Sequence, residues 1–273
     1  MTAVAHLETQ PMHWESNGGR FMPVALAIAG RNLAGIRRAP SVFISSLLFP
    51  IMSIISLSGA YSGVATAPGF PAKSMAGWML GFTVIQASAM VGMTSGIGLI
   101  RDMETRFYDR LLLAPINRGS LIGGLYIAVS VRVLVPFTIT LLLALATGAQ
   151  FTAAVVPSVA CLLVAAEGAA LLGAGFGIGM GLRLKTFAAA PIMFMTVFTF
   201  MFMSPVQVPL DFISGWLHGV ATVNPVTRIT SLARAGLTSG ITFAEVWEGV
   251  AVIVPGIVLL AWFAARGMKK LDK

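Results

Sequence analysis

Six long apolar runs limit what this chain can fold into. They lie at about 41–60, 75–99, 121–148, 154–182, 187–203 and 246–265. Each is close to the roughly 20 residues that a helix needs to cross the hydrocarbon core of a bilayer. Because lipid offers no hydrogen bonds, a spanning segment must pair its own backbone groups, which favours helices. We therefore expect an all-α integral membrane protein with six transmembrane helices.

The composition agrees with this class and excludes several others. Only 10% of the residues are charged and 57% are hydrophobic, whereas soluble domains carry about 25% charged residues. The net charge of +8 would favour nucleic acid only as one basic patch, but the apolar runs separate the basic residues. A single cysteine, Cys161, allows no internal disulfide and no cysteine-based metal cage.

The distribution of basic residues predicts the orientation. Of the 18 Lys and Arg residues, only Lys73, Arg228 and Arg234 fall in connections predicted to be outside, and Arg132 falls within the third run. The others fall on the opposite side: Arg20, Arg31, Arg37, Arg38, Arg101, Arg106, Arg110, Arg118, Arg183, Lys185, Arg266, Lys269, Lys270 and Lys273. The positive-inside rule then predicts a multi-pass protein of the cell membrane with both termini cytoplasmic.

The segment before the first run has helical periodicity. Residues 1–19 lack a signal-peptide pattern and are expected to form a flexible tail. Residues 20–38 place Met22, Leu26, Ala29, Leu33 and Ile36 on one face and arginines on the other. This pattern favours a helix lying in the membrane interface, and a helix packed on the rest of the protein is the alternative.

A charged segment follows the second run. Six charged residues fall within 101–110, and Pro115 follows a leucine triplet. We expect a short amphipathic helix, supported by Asp102 and Arg106 at i,i+4 spacing. Acidic residues contribute little to membrane orientation, so the mixture of signs favours contact with a protein partner over an ordinary cytoplasmic loop.

The connection 204–245 is long for an outer loop. Its pattern predicts two short amphipathic helices, the first with Phe212, Trp216 and Val220 on one face. Asn224 is a plausible N-cap for the second helix, with Pro225 at its first position, and Gly236 or Gly240 is expected to end it.

Two motifs give the chain a family resemblance. Asp109-Arg110-Leu111-Leu112-Leu113-Ala114-Pro115-Ile116-Asn117-Arg118 follows the second run, and Trp216, Asn224-Pro225 and Leu232-Ala233-Arg234 lie in the outer connection. In these motifs the chain resembles the permease subunits of type-2 ABC exporters, within them the daunorubicin-resistance type of drug and lipid exporters. The resemblance implies that residues 20–273 form one transmembrane domain.

The resemblance also implies roles for particular residues. Segment 101–118 would be a cytoplasmic coupling helix seated in a cleft of a cytosolic ATPase, with contacts from Arg101, Asp102, Glu104, Arg106, Asp109, Arg110, Leu112 and Pro115. The outer connection would be a partly re-entrant helical hairpin closing the pathway, with gate residues Trp216, Asn224, Pro225 and Arg234. From the residues alone, a surface loop is equally compatible with this connection.

The implied assembly contains other subunits. It has two copies of the ATPase, which bind ATP and Mg, and a second permease chain, identical or paralogous. This chain is expected to bind no cofactor and to hold no catalytic residue. It contains no G-x-x-x-x-G-K-[ST] motif, and its glycine-rich run Gly173–Gly181 lacks nucleotide-loop spacing. We interpret that run instead as two close-packing faces of a membrane helix.

Two charged residues fall inside predicted spans. Placing a charge near the bilayer centre costs roughly 2.5–3.5 kcal/mol on the mild insertion scale. Arg132 lies in the third run and Glu167 in the fourth, on helices that their short link makes neighbours. We favour an Arg132–Glu167 clamp between the helices; the alternative is a polar contact on the transport pathway.

The fifth run is rich in methionine and phenylalanine. These side chains suit a dimer seam or an apolar substrate surface, and the resemblance places this span at the permease dimer interface beside the pathway. The candidates are Met193, Phe194, Phe198, Met201 and Phe202. Packing against lipid is the alternative for individual residues.

Together these features predict an efflux permease that exports a hydrophobic or amphipathic molecule, such as a drug, an antibiotic or polyketide, or a lipid. Export of a polysaccharide or glycolipid and stand-alone secondary transport remain alternatives; Glu167 is the one candidate proton or ion carboxylate for the latter. A membrane enzyme is disfavoured because metal-binding and nucleophile patterns are missing from the sequence.

Overall fold

The computed structural model describes residues 21–38, 40–107, 117–206, 208–238 and 240–269. All regular secondary structure in these ranges is helical, which confirms the all-α class for this part of the chain. The α-helices are α1 (Phe21–Arg38), α2 (Pro40–Ala60), α3 (Met75–Glu104), α4 (Arg118–Ala146), α5 (Val155–Leu184), α6 (Ala189–Phe202), α7 (Trp216–Val223), α8 (Pro225–Arg234) and α9 (Phe243–Lys269). Short 3-10 turns cover Ser62–Thr66 and Leu210–Phe212.

Local sequence signals fix where several of these helices begin. The Ser74 side chain caps α3 by accepting from Gly77 N at 3.1 Å, and Asn117 Oδ1 caps α4 by accepting from Gly119 N at 2.8 Å. Before α9, Thr242 and Glu245 exchange hydrogen bonds as a capping box.

Helices α3 and α5 form the centre of the fold, with their backbones in direct contact. A Cβ atom at Gly177 of α5 would lie 2.5 Å from Met93 O of α3, and one at Gly181 would lie 2.9 Å from Gly96 O. Gly92 of α3 meets the α5 backbone at Ala170 in the same way. Only glycine permits this approach, because the nearest neighbours are main-chain atoms, which cannot rotate away.

The second glycine row of α5 contacts a different helix. A Cβ at Gly175 would lie 2.7 Å from Leu260 Cβ of α9, and Gly179 faces the ring of Phe263 one turn further on. Arg183 reinforces the contact, since its Nη1 donates to Gly179 O at 2.7 Å and its Nη2 to Phe263 O at 2.9 Å. The predicted pair of close-packing faces is therefore confirmed, with α3 on one face and α9 on the other.

Helix α1 packs on α4, which corrects the predicted apolar face. Ala25 and Ala29 are buried, whereas Met22 and Leu26 are exposed. A Cβ at Gly124 of α4 would lie 2.6 Å from Ala25 O and 2.8 Å from Ile28 Cβ, so Ala25 and Ile28, rather than Met22 and Leu26, lie on the face of α1 that meets α4. Helix α1 is thus packed on the rest of the protein, and its Met22 and Leu26 side chains are exposed on the surface.

Four of the six predicted spans are long and apolar enough to cross a membrane, namely α3, α4, α5 and α9. Helix α6 has only 14 residues, or about 21 Å at 1.5 Å per residue, short of the roughly 30 Å hydrocarbon core. In α2, which has 21 residues, the part with described side chains is the apolar helix Leu48–Ala60. The run 187–203 is shortened because Lys185, with φ of 52°, ends α5 and a turn precedes α6.

The helix bundle has two ends. We call the end with Arg31, Asp102 and Arg183 the basic end, and the end with α7 and α8 the hairpin end. The predicted tight link between α4 and α5 lies at the hairpin end: residues 147–154 make the connection, and Gly148 has φ of +96°. There Thr152 N donates to Gly236 O at 3.0 Å, joining the link to the end of α8.

Substituting Gly177 with alanine tests the central contact. We expect Gly177→Ala to destabilise the protein by about 1–3 kcal/mol, the usual cost of overpacking, although alanine by itself favours a helix. The measurement is thermal or denaturant unfolding of the purified chain in detergent. The control is Gly98→Ala, because a Cβ at Gly98 would meet nothing within 4 Å. Equal stability of the two variants would contradict the close contact.

Candidate functional site

A buried arginine fixes α8 to the rest of the hairpin end. The Arg234 side chain is 4% exposed, and its Nε, Nη1 and Nη2 donate to the carbonyl oxygens of Trp78, Pro205 and Val206 at 2.9, 2.8 and 2.8 Å. Its guanidinium lies 3.6 Å from the centre of the Trp78 ring. These contacts join α8, α3 and the segment after α6 at one side chain, with the charge stabilised by carbonyl dipoles and the aromatic face.

Asn224 has two roles between α7 and α8. Its Oδ1 accepts from Val226 N at 2.9 Å, and its Nδ2 donates to Phe200 O near the end of α6 at 2.7 Å. Pro225 occupies the first turn of α8. The predicted N-cap and the two short helices are therefore confirmed, and the same cap ties the hairpin to α6. Phe212, predicted on the face of the first helix, lies instead in the 3-10 turn before it.

The four predicted gate residues are not all brought together. Asn224 and Arg234 are buried in the contacts just described, and Pro225 begins the helix between them. Trp216 starts α7 and is 72% exposed, so its side chain faces the surroundings. Gly236 does not simply end α8, which stops at Arg234; it packs against Ser158 of α5.

The predicted coupling segment differs from the expected separate helix over its described part. Arg101, Asp102 and Glu104 continue α3 to its end, after which Arg106 adopts a left-handed conformation with φ of 54°. Asp109, Arg110, Leu112 and Pro115 lie outside the described residues. The sequence pattern predicted that the apolar run and the charged segment form two separate helices. In the structure α3 continues from the apolar residues into the charged ones and ends at Glu104.

Asp102 pairs with α1 instead of with Arg106. Arg31 Nη2 and Nη1 donate to the two carboxylate oxygens of Asp102 at 2.6 and 2.9 Å, and the Arg31 guanidinium lies 3.8 Å from the centre of the Phe107 ring. The hydrogen bond to Asp102 raises the pKa of Arg31 above its usual value. This bidentate pair attaches α1 to the end of α3, where the charged segment begins.

Arg132 and Glu167 have separate partners, so the favoured clamp between them is not formed. Arg132 Nη2 donates to Thr94 Oγ1 of α3 at 3.3 Å. Glu167 lies beside the hydroxyl of Ser130. Ser130 and Arg132 are two residues apart on α4 and thus point about 200° apart around it, which directs one toward α5 and the other toward α3.

The methionine- and phenylalanine-rich helix α6 has a buried and an exposed side. Met193 and Met201 are buried, and Phe194 packs at the edge of a small cluster containing Met90 and Met93 of α3. Phe198 meets Phe49 of α2 edge to face, with ring centres 5.5 Å apart, and stacks on Phe202 at 5.9 Å. Phe202 itself is about half exposed, so α6 presents both a packed and a free aromatic surface.

Sequence reasoning missed two residues that the structure singles out. Trp78 supplies the ring and a carbonyl to Arg234, and its Nε1 donates to Val206 O at 3.1 Å. Gln86 is fully buried in α3, and neither polar atom of its side chain has a partner among the described residues. Gln86 could have been singled out from the sequence, because an amide inside an apolar run needs a hydrogen-bond partner and unpaired buried amides are rare. The role of Trp78 could not, because it depends on contacts with residues distant in the chain.

Removal of Arg234 tests the anchor. We expect Arg234→Ala to destabilise the chain by at least about 2 kcal/mol, since it leaves buried carbonyl oxygens without their donors. Arg228→Ala on the same helix is the matched control, because the Arg228–Glu248 ion pair is exposed and should contribute at most about 1 kcal/mol. The measurement is unfolding in detergent; a loss for Arg234→Ala no greater than for the control would contradict the account.

The ABC-2 type transporter family matches residues 24–238, from α1 to the turn after α8. No curated protein matches the chain. The match covers well over half of the 273 residues, so this membrane protein belongs to the ABC-2 type transporter family and is a permease of an ABC transporter.

Proposed function

We propose that this chain is the membrane-spanning subunit of an ATP-driven exporter that moves a hydrophobic or amphipathic molecule out of the cell. The main support for this proposal is that α3 is one unbroken helix. This helix has Asp102, with its Arg31 partner, near one end and Trp78, with its Arg234 partner, near the other. Its 30 residues extend about 45 Å, longer than the hydrocarbon core.

The energy source in this proposal is a separate subunit. The sequence has no nucleotide-binding loop, so ATP and Mg belong to a cytosolic ATPase, present in two copies. Exposed Glu104 and the charged residues after it supply the docking surface for that ATPase. A second permease chain completes the pathway. Helix α2 acts as the first of six spans, and α6 with the residues that flank it acts as the fifth. Both termini then lie in the cytoplasm.

Force would pass through the most rigid part of the molecule. The backbones of α3 and α5 touch at Gly92, Gly96, Gly173 and Gly177, so these helices cannot slide without a clash. Arg234 attaches the hairpin to the same block. Movement of the ATPase against the basic end would therefore shift α3, α5 and the hairpin together.

Helix α6 is the element best suited to rearrange. It meets α3 through a cluster that contains the unbranched side chains of Met90, Met93 and Met193. Methionine adapts to different neighbours, and the exposed aromatic residues of α6 offer an apolar surface. This chemistry supports a drug, antibiotic, polyketide or lipid as cargo rather than a small ion.

Recovery of the transporter from its native membranes tests the ATPase partnership. We expect the tagged chain in mild detergent to copurify with a nucleotide-binding subunit, detected by mass spectrometry, and to show ATP hydrolysis. Glu104→Arg should lower both signals because it reverses the charge of an exposed residue at the basic end. Glu248→Arg, at the hairpin end, is the control and should leave both unchanged. A permease recovered alone, with no ATP hydrolysis, would contradict the proposal.

Neutralising Glu167 tests a pathway role for this carboxylate. Glutamine is close in shape and retains an oxygen that can accept from Ser130, so we expect Glu167→Gln to assemble normally. Transport should fall because a charge has been removed from the membrane region. The measurement is export from cells, with the amount of assembled permease determined in parallel; unchanged export would leave Glu167 with a structural role only.

A further inference from the structure

A cavity of about 390 Å³ lies between five helices and is separate from the charged residues discussed so far. Its walls come from α3, α5, α6 and α9, and the first turns of α8 cover one end with Pro225, Val226 and Ile229. An engineered apolar cavity of about 150 Å³ in another protein stays dry and takes up benzene. This cavity is large enough for a longer apolar group.

The lining offers no polar group to a ligand. Thr196 is the one residue with a side-chain hydroxyl among the described lining residues, and that hydroxyl donates to Ile192 O at 2.9 Å within α6. The remaining walls are aliphatic, aromatic, glycine and proline. Water would find too few partners there, so the chemistry selects a hydrocarbon.

The mouth of the cavity faces the side of the protein, not its ends. Helix α9 packs mainly on α5 and α8, and the residues at its gap to α6, Phe200 and Leu259, are 51% and 61% exposed. Along α9 the neighbouring face is also apolar and open, at Val254, Val258 and Trp262. A surface of this kind on a candidate membrane span is expected to lie against lipid.

The position along the helices selects one leaflet. On α9 the lining extends from Val252 to Leu260, about 12 Å at 1.5 Å per residue. The exposed Arg228–Glu248 ion pair lies just beyond it, one residue before Ile229 and one helical turn before Val252. Charged side chains there suit the headgroup region, with the apolar cavity below them.

We propose that this cavity binds one acyl chain of a bilayer phospholipid from the leaflet at the hairpin end. The bound chain fills the space between α6 and the α5–α9 pair and supports the cover formed by α8. The proposal requires that the chain spans a membrane; it does not depend on the cargo or on the ATPase.

The test uses the purified full chain in phosphatidylcholine vesicles that contain a trace of phosphatidylcholine with a diazirine on its acyl chain. After irradiation, adducts are mapped by mass spectrometry. We expect adducts on the lining residues of α6 and α9, such as Thr196, Val252 and Gly256, to exceed those on the lipid-facing residues Val254 and Val258. Val252→Phe should reduce adducts on the lining segment of α6 by at least about tenfold. The larger ring excludes part of the acyl chain from the cavity, and losing the burial of only about two methylene groups weakens binding about tenfold.

Val254→Phe is the matched control, with the same substitution two residues away on the exposed face, and should leave that labelling unchanged. Both variants must elute as the parent does in gel filtration; if Val252→Phe does not, Thr196→Phe fills the cavity from the opposite wall. Equal labelling of lining and lipid-facing residues, or an equal effect of the filling variant and the control, would overturn the proposal. Neither outcome involves transport or ATP hydrolysis, so the proposed function would stand.

Discussion

The backbone contact between α3 and α5 determines how the other helices are arranged. Glycines on both helices let main-chain atoms approach to distances that any side chain would prevent. Because α5 has glycine at every second position from Gly173 to Gly181, it presents a second smooth face about 200° away. That face receives α9. A single sequence pattern thus specifies the two most extensive contacts of α5.

The polar contacts are concentrated at the two ends of this block. At the basic end, Arg31 and Asp102 attach α1 to α3; at the hairpin end, Arg234 attaches α8 to α3 and to the segment after α6. The two arginines differ in environment, since Arg31 is partly exposed and has an anion, whereas Arg234 is buried against carbonyl oxygens and an indole ring. Removal of Arg234 leaves unpaired groups in the interior, whereas water can replace Arg31. Loss of the Arg234 side chain is therefore expected to destabilise the protein more than loss of the Arg31 side chain.

Much of this fold follows from patterns within single helices. Apolar length, glycine spacing and the Asn224-Pro225 cap each depend on neighbours in the chain, and the structure agrees with them. The predicted charge pairs are not formed: Asp102 pairs with Arg31 of α1 rather than with Arg106 four residues along the chain, and Arg132 faces Thr94 rather than Glu167. Charge and proximity suggested the Arg132–Glu167 pair, but the direction of each side chain depends on helix rotation, which the residues alone do not specify. The contact of Trp78 with Arg234 could not be predicted for the same reason.

The central claim is that α3 and α5 move as one body while α6 rearranges. It is tested most directly by pulsed electron paramagnetic resonance on the assembled transporter, with Cys161 replaced by serine and spin labels at exposed positions. Labels at Gly98 and Leu184 report the distance between α3 and α5, and labels at Gly98 and Met195 report that between α3 and α6. We expect that trapping ATP leaves the α3–α5 distance unchanged and alters the α3–α6 distance. A change in the first distance would contradict it.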